Sequence, residues 1–143
     1  GQMLSDLLNK LTWPAMQYDD FDDFPIPFRC VATDVSTGKT IVFKDGSLAK
    51  AMRASMSIPS AFTAVDLDTT LAVDGGILDN FPVDVMEKMK PDYIIGLNVS
   101  DKIANAKDIG SIAGILTQVS MFESLKRMEA DIEKCDFYIK LDL

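Results

Sequence analysis

Histidine is absent from the 143 residues. That removes imidazole from any catalytic or metal-binding scheme built from this chain alone. Cysteine is nearly absent: Cys30 and Cys135 stand far apart and share no metal-ligand spacing, so the redox compartment stays open. No apolar run approaches the ~20 residues that a membrane span requires. The first residues lack the basic flank and apolar core of a signal peptide. Bases are outnumbered, 14 against 22 acids for a formal net charge of −8, which disfavours nucleic acid and anionic lipid surfaces as partners. Any membrane contact would be apolar and local.

What remains is ordinary globular material. The apolar fraction of 48 % and charged fraction of 25 % fit one domain with a real core and argue against disorder. Met3, Leu4, Leu7, Leu8 and Leu11 follow helical spacing and predict a short amphipathic helix. Its apolar face, with Trp13 nearby, is expected to pack into the core, a lipid-facing role being the alternative. The acidic run Asp19, Asp20, Asp22 and Asp23 lacks a calcium-loop spacing and reads as a solvated loop, and Pro25 and Pro27 lead from it into a strand. Residues 28–35 and 40–43 are β-branched and apolar about Ser36-Thr37-Gly38, a hairpin pattern. Ser47 is the expected N-cap of a helix from Leu48 to about Ser57, stopped by Pro59. A strand pair is expected at residues 62–65 and 71–73, then a helix over 81–90 with Pro82 in its first turn. Residues 93–99 suit a strand buried in a parallel sheet. Ile109, Ile112, Leu116, Val119, Phe122, Leu125, Met128 and Ile132 predict the longest helix, and residues 137–141 a closing strand. The alternation argues for an α/β layer fold.

The most informative stretch is Leu71-Ala72-Val73-Asp74-Gly75-Gly76-Ile77-Leu78-Asp79-Asn80-Phe81-Pro82. A carboxylate ends an apolar strand and two glycines follow at once. Chemistry in open α/β sheets gathers just beyond the carboxyl ends of strands. Glycines there permit a positive φ, or the close approach of another backbone or a substrate. Asp-Gly-Gly is also an ordinary turn sequence, so the flanks decide.

Those flanks are Ala51-Met52-Arg53-Ala54-Ser55-Met56-Ser57-Ile58-Pro59 and Phe62, ahead of the Asp-Gly-Gly motif, Asn80 and Pro82. With Pro25-Ile26-Pro27-Phe28, Ala32-Thr33-Asp34 and Gly46-Ser47-Leu48, they resemble the bacterial patatin-like phospholipases, from about Pro25 to Ser100. The resemblance implies a three-layer α/β/α domain on a mixed, mostly parallel sheet, of which residues 1–143 are the downstream part. It implies a serine lipid acyl hydrolase whose substrate is a lipid or phospholipid acyl ester, with no metal and no cofactor. A peripheral membrane contact fits that chemistry, and both cytoplasmic and cell-envelope locations occur among similar bacterial proteins. A serine in a Gly-x-Ser-x-Gly turn attacks the acyl carbonyl, an aspartate serves as its base, and a glycine-rich loop holds the oxyanion. The aspartate falls on Asp74, with Gly75, Gly76 and Asn80 shaping its turn.

The chain departs from the pattern in two respects, the first being that it has no Gly-x-Ser-x-Gly. Gly110-Ser111-Ile112-Ala113-Gly114 has the wrong spacing, and no glycine-rich oxyanion loop is present. The nucleophile half is therefore expected upstream, and the chain alone should be inactive. The lack of histidine fits a Ser–Asp dyad better than the nucleophile–acid–histidine order of α/β-hydrolases.

Bland readings go to the remaining candidates. The Arg53 to Pro59 stretch reads as small-residue packing against neighbouring backbone, and neither Ser55 nor Ser57 sits in a strand-to-helix elbow. Asn80 and Pro82 are expected to shape the turn and cap the next helix. Asp66-Leu67-Asp68-Thr69-Thr70 matches the Asp-x-Asp-x-Thr of magnesium-dependent phosphatases, but its residues favour a turn. A non-catalytic α/β interaction module and a nucleotide-binding domain are the other rivals, the latter without a Gly-x-Gly-x-x-Gly fingerprint.

Overall fold

The structure is a computed structural model that describes residues 2–59, 61–100 and 112–141. The chain forms two compact units, Gly1–Gly76 and Ile77–Leu143.

In the first unit, α1 (Gln2–Leu11) is followed by a 3-10 turn at Trp13–Gln17. The loop after it is less solvated than its acids suggest. Phe21 is fully buried, stacks on Phe24 at 5.0 Å between centroids, and donates its N–H to the Lys44 carbonyl at 2.8 Å. Asp22 pairs with Arg29 at 2.7 Å. Strands β1 (Cys30–Asp34) and β2 (Lys39–Phe43) form the expected hairpin. Its turn is closed by the Asp34 carboxylate, which accepts the Ser36 and Thr37 N–H groups at 2.8 and 3.2 Å. Gly38 supplies the left-handed φ of +65° that the turn requires.

Helix α2 (Leu48–Ser55) starts where expected, with Ser47 Oγ accepting the Lys50 N–H at 3.3 Å. In the strand pair after it, β3 (Val65–Asp66) starts later than the sequence predicts, while β4 (Leu71–Asp74) starts where expected. The Thr63 carbonyl accepts from Arg53 at 3.2 Å, and the Arg53 guanidinium lies over the Phe62 ring at 5.3 Å. Residues 62 and 63 therefore answer the arginine instead of a neighbouring strand. The sheet order is β2-β1-β4-β3. Ala32, Ala54 and Ala72, all fully buried, bring α2 close to the sheet, with Ile41, Phe43, Val65 and Leu67 packed around them. The small-residue packing read from the sequence holds.

The second unit carries α3 (Val83–Lys88), β5 (Ile95–Asn98), α4 (Ile112–Ile132) and β6 (Phe137–Lys140). Pro82 caps α3 and does not enter its first turn. Strands β5 and β6 pair in parallel. Gly96 is required where it stands, since a β-carbon there would lie 2.4 Å from the Phe81 ring and 2.8 Å from Cys135 Sγ. Lys134 gathers Asp131 at 2.7 Å, Glu87 at 3.7 Å and Asp84. Ile109, the start of the long helical period, and Gly110-Ser111 lie outside the described residues.

The α/β class is as expected, with parallel and antiparallel pairing both present. The balance differs from the mostly parallel sheet expected. The four-stranded sheet is antiparallel throughout. Tight turns set that direction for β1 with β2 and for β3 with β4, and β1 pairs with β4 across a long connection. Among the described residues α1 fills the core role expected of it only in part: Leu8 is buried and Leu4 half-buried, while Met3, Leu7, Leu11 and nearby Trp13 and Met16 are exposed. Ile95, Leu97, Phe137 and Ile139 of the parallel pair are exposed as well. No described helix is long and apolar enough to cross a membrane.

Two substitutions test this architecture by urea unfolding. Phe21→Ala is expected to cost about 3–5 kcal/mol, as for a buried aromatic, where a solvated loop would lose almost nothing. Gly75→Ala is expected to cost about 1–3 kcal/mol, since its β-carbon would lie 2.4 Å from the Val31 carbonyl oxygen.

Candidate active site

Asp74 is the last residue of β4, and the chain turns at once into a short 3-10 segment at Gly75–Ile77. Its backbone is held on both sides of the α-carbon. The N–H donates to the Ser57 carbonyl at 3.0 Å, and the carbonyl accepts from Thr33 Oγ1 at 3.0 Å. Thr33 stands on β1 opposite Val73, one step from the Ala32–Asp74 pair.

Gly75 lets this happen by close approach and not by a positive φ. Its α-carbon abuts β1 so tightly that a β-carbon would fall 2.7 Å from the Val31 carbonyl carbon. Gly76 then turns its N–H back onto Asp74 Oδ1 at 2.7 Å. Such a bond fixes the side chain and favours its charged form. Among the described residues no Lys or Arg forms an ion pair with Asp74. Burial pushes its carboxyl above the ordinary carboxylate range, and the Gly76 N–H partly offsets this. A fixed carboxylate with one oxygen engaged, raised proton affinity and no neutralising cation is suited to accept a proton.

The other predicted residues fall elsewhere. Asn80 belongs to the second unit, where its N–H donates to Ser124 Oγ at 2.9 Å and its Nδ2 to Ser100 Oγ at 2.8 Å. It shapes the loop ahead of α3, as the bland reading has it. Asp79, one residue earlier, is buried. Burial raises its carboxyl, Arg127 lowers it, and Asp131 and Asp84 raise it further. Asp66 and Asp68 sit in the β3–β4 turn, where Asp66 Oδ1 accepts the Asp68 N–H at 2.8 Å. The exposed Asp68 faces Lys50 at 3.8 Å. No group of three metal-ligating side chains occurs among the described residues. Cys30 and Cys135 are free thiols, and burial pushes Cys30 up to about 11, far from the reactive range. The cavities along α2, lined by Lys50 with Arg53 or with Thr70, do not include Asp74.

The sequence singles out Asp74 but gives no role to Thr33 or to the Ser57 carbonyl. Nothing local marks them, since Thr33 lies 41 positions from the carbonyl it holds.

The chain is similar to several known proteins. An NTE family protein of Mycobacterium tuberculosis is 37% identical over 79 residues, 55% of this chain and 22% of that protein. A second NTE family protein of the same species is 32% identical over 104 residues, 73% of this chain and 18% of its own length. Lysophospholipase NTE1 of Meyerozyma guilliermondii is 29% identical over 91 residues, 64% of this chain and 6% of that protein. The chain thus spans less than a quarter of the length of these curated relatives. Residues 1–86, which contain the hairpin, α2, β4 and the Asp-Gly-Gly turn, match the Patatin-like phospholipase description, and the chain belongs to that family of lipid hydrolases.

Proposed function

We propose that the protein of which this chain is part is a serine lipid acyl hydrolase, and that Asp74 is the base of its Ser–Asp dyad. The observation that carries this reading is the Asp74 carboxylate itself. It stands at a strand tip, fixed through Oδ1 by the Gly76 N–H at 2.7 Å, raised by burial, and without a cationic partner among the described residues.

The chemistry follows from elementary needs. A serine hydroxyl attacks a carbonyl poorly unless its proton has somewhere to go. In this reading Asp74 accepts that proton as Oγ adds to the acyl carbonyl. The tetrahedral intermediate collapses as the proton passes to the departing alcohol, leaving an acyl-serine. Water then adds to the acyl carbon as the same carboxylate takes its proton, the acyl–Oγ bond breaks with that proton returned to Oγ, and the fatty acid leaves. The nucleophile turn and the oxyanion loop lie outside residues 1–143, so the chain alone hydrolyses nothing. The substrate is an acyl ester of a phospholipid, a lysophospholipid or a related lipid. The exposed Met3, Leu7, Leu11 and Trp13 offer an apolar face for a peripheral lipid contact. No comparable support attaches to the phosphatase reading, because Asp66 and Asp68 are engaged in a turn.

In the full-length protein, Asp74→Asn is expected to lower kcat for a lipid ester at least about a hundredfold while circular dichroism stays native. Unchanged turnover would remove Asp74 from the mechanism. Stability should move the other way. The folded state raises this carboxyl above its ordinary value of 3.8. It therefore carries a penalty that is absent in acid, appears as pH rises through the folded value, and persists at neutral pH. Asp74→Asn is expected to unfold at higher urea than the parent at neutral pH, with the advantage gone near about pH 3. An advantage independent of pH would contradict the burial account.

A further inference from the structure

Arg53 is buried, 6 % exposed, and no described carboxylate pairs with it. A guanidinium without a counter-charge is a costly thing to bury. Stability alone gives little reason to place one there, so the groups it holds become the question. Nη1 donates to Ser57 Oγ at 2.5 Å, and Nη2 donates to the Thr63 carbonyl at 3.2 Å. The Phe62 ring covers the guanidinium at 5.3 Å. Ser57 is fully buried and returns its own hydroxyl hydrogen to the Arg53 carbonyl at 2.7 Å. These reciprocal bonds lock the segment that leaves α2. From that locked segment the Ser57 carbonyl accepts the Asp74 N–H at 3.0 Å.

We propose that Arg53 and Ser57 are positioning residues for Asp74: the buried guanidinium clamps Ser57, and the Ser57 carbonyl sets the height of the carboxylate-bearing peptide at the tip of β4. This rests on the reading of Asp74 as the base. The clamp works with Thr33, which holds the Asp74 carbonyl, in the next peptide, at 3.0 Å. Arg53 acts through geometry and not through its field, since burial and the Gly76 N–H are what set the Asp74 carboxyl. The fork of the guanidinium matters because it reaches Ser57 and Thr63 together, which one ammonium group cannot do in the same way.

The test uses the full-length protein and a soluble acyl ester. Ser57→Ala removes the hydroxyl but keeps the backbone carbonyl. It is expected to lower kcat about tenfold to a hundredfold, the usual cost of a misplaced reacting group, with KM little changed. The acid limb of the kcat/KM profile should move down toward the ordinary carboxylate value as the loosened side chain gains water. Arg53→Lys keeps the charge and should show the same split and the same shift. Both effects must exceed what the change in melting temperature explains at the assay temperature. Wild-type kcat and an unmoved acid limb in both variants, beside an inactive Asp74→Asn, would overturn the clamp and leave the base assignment standing. Loss of activity that only tracks unfolding, with the limb unmoved, would likewise overturn it. Full activity in Asp74→Asn would remove the base, and the clamp with it.

Discussion

The contact between Gly75 and β1 governs the first unit. The Val31 carbonyl occupies the space that any other residue's β-carbon would need, 2.4 Å from where it would stand. Because the chain can approach that closely, β4 leaves the sheet in a 3-10 turn and does not continue as a strand. The turn in turn brings the Gly76 N–H onto Oδ1. A carboxylate in the middle of a strand would point to one face and be free to rotate. Here the backbone itself fixes the rotamer. The absence of a side chain at one position thus determines the orientation of the side chain before it.

Charge follows the same economy. In a chain of net charge −8 most acids are solvated or paired. Asp22 is lowered by Arg29, and Asp34 by the Thr70 and Thr37 hydroxyls with backbone N–H groups. Asp84 is lowered by Lys134. Asp74 and Asp79 go the other way, and for both the largest cause is burial. Asp79 has Arg127 to oppose that effect, while Asp74 has the Gly76 amide. An amide dipole holds a carboxylate in place without neutralising it, which is what a proton acceptor needs.

Much of this was legible in the sequence where the signal was local. Ser36-Thr37-Gly38 announced the hairpin and Ser47 the start of α2. An apolar run ending in Asp-Gly-Gly placed the carboxylate at a strand tip. Long-range pairing stayed hidden. Phe21 sits among acids and reads as exposed, yet its N–H finds Lys44 and its ring is fully buried. The late start of β3 reflects a buried arginine drawing on Thr63, a competition no propensity encodes. The period of α1 correctly announced an apolar stripe, but periodicity cannot say what covers it, and Met3, Leu7 and Leu11 face solvent.

The alanine layer under α2 has a consequence beyond stability. Ala32, Ala54 and Ala72 are fully buried where helix meets sheet, and close-packed interiors transmit displacement instead of absorbing it. Added bulk at such positions is accommodated by shifts of side chains and backbone, and here the nearest backbone to shift is the helix and the segment leaving it. Positions without a polar atom can thus bear on where the Asp74 backbone stands, because the Ser57 carbonyl that accepts its N–H lies on the segment leaving α2.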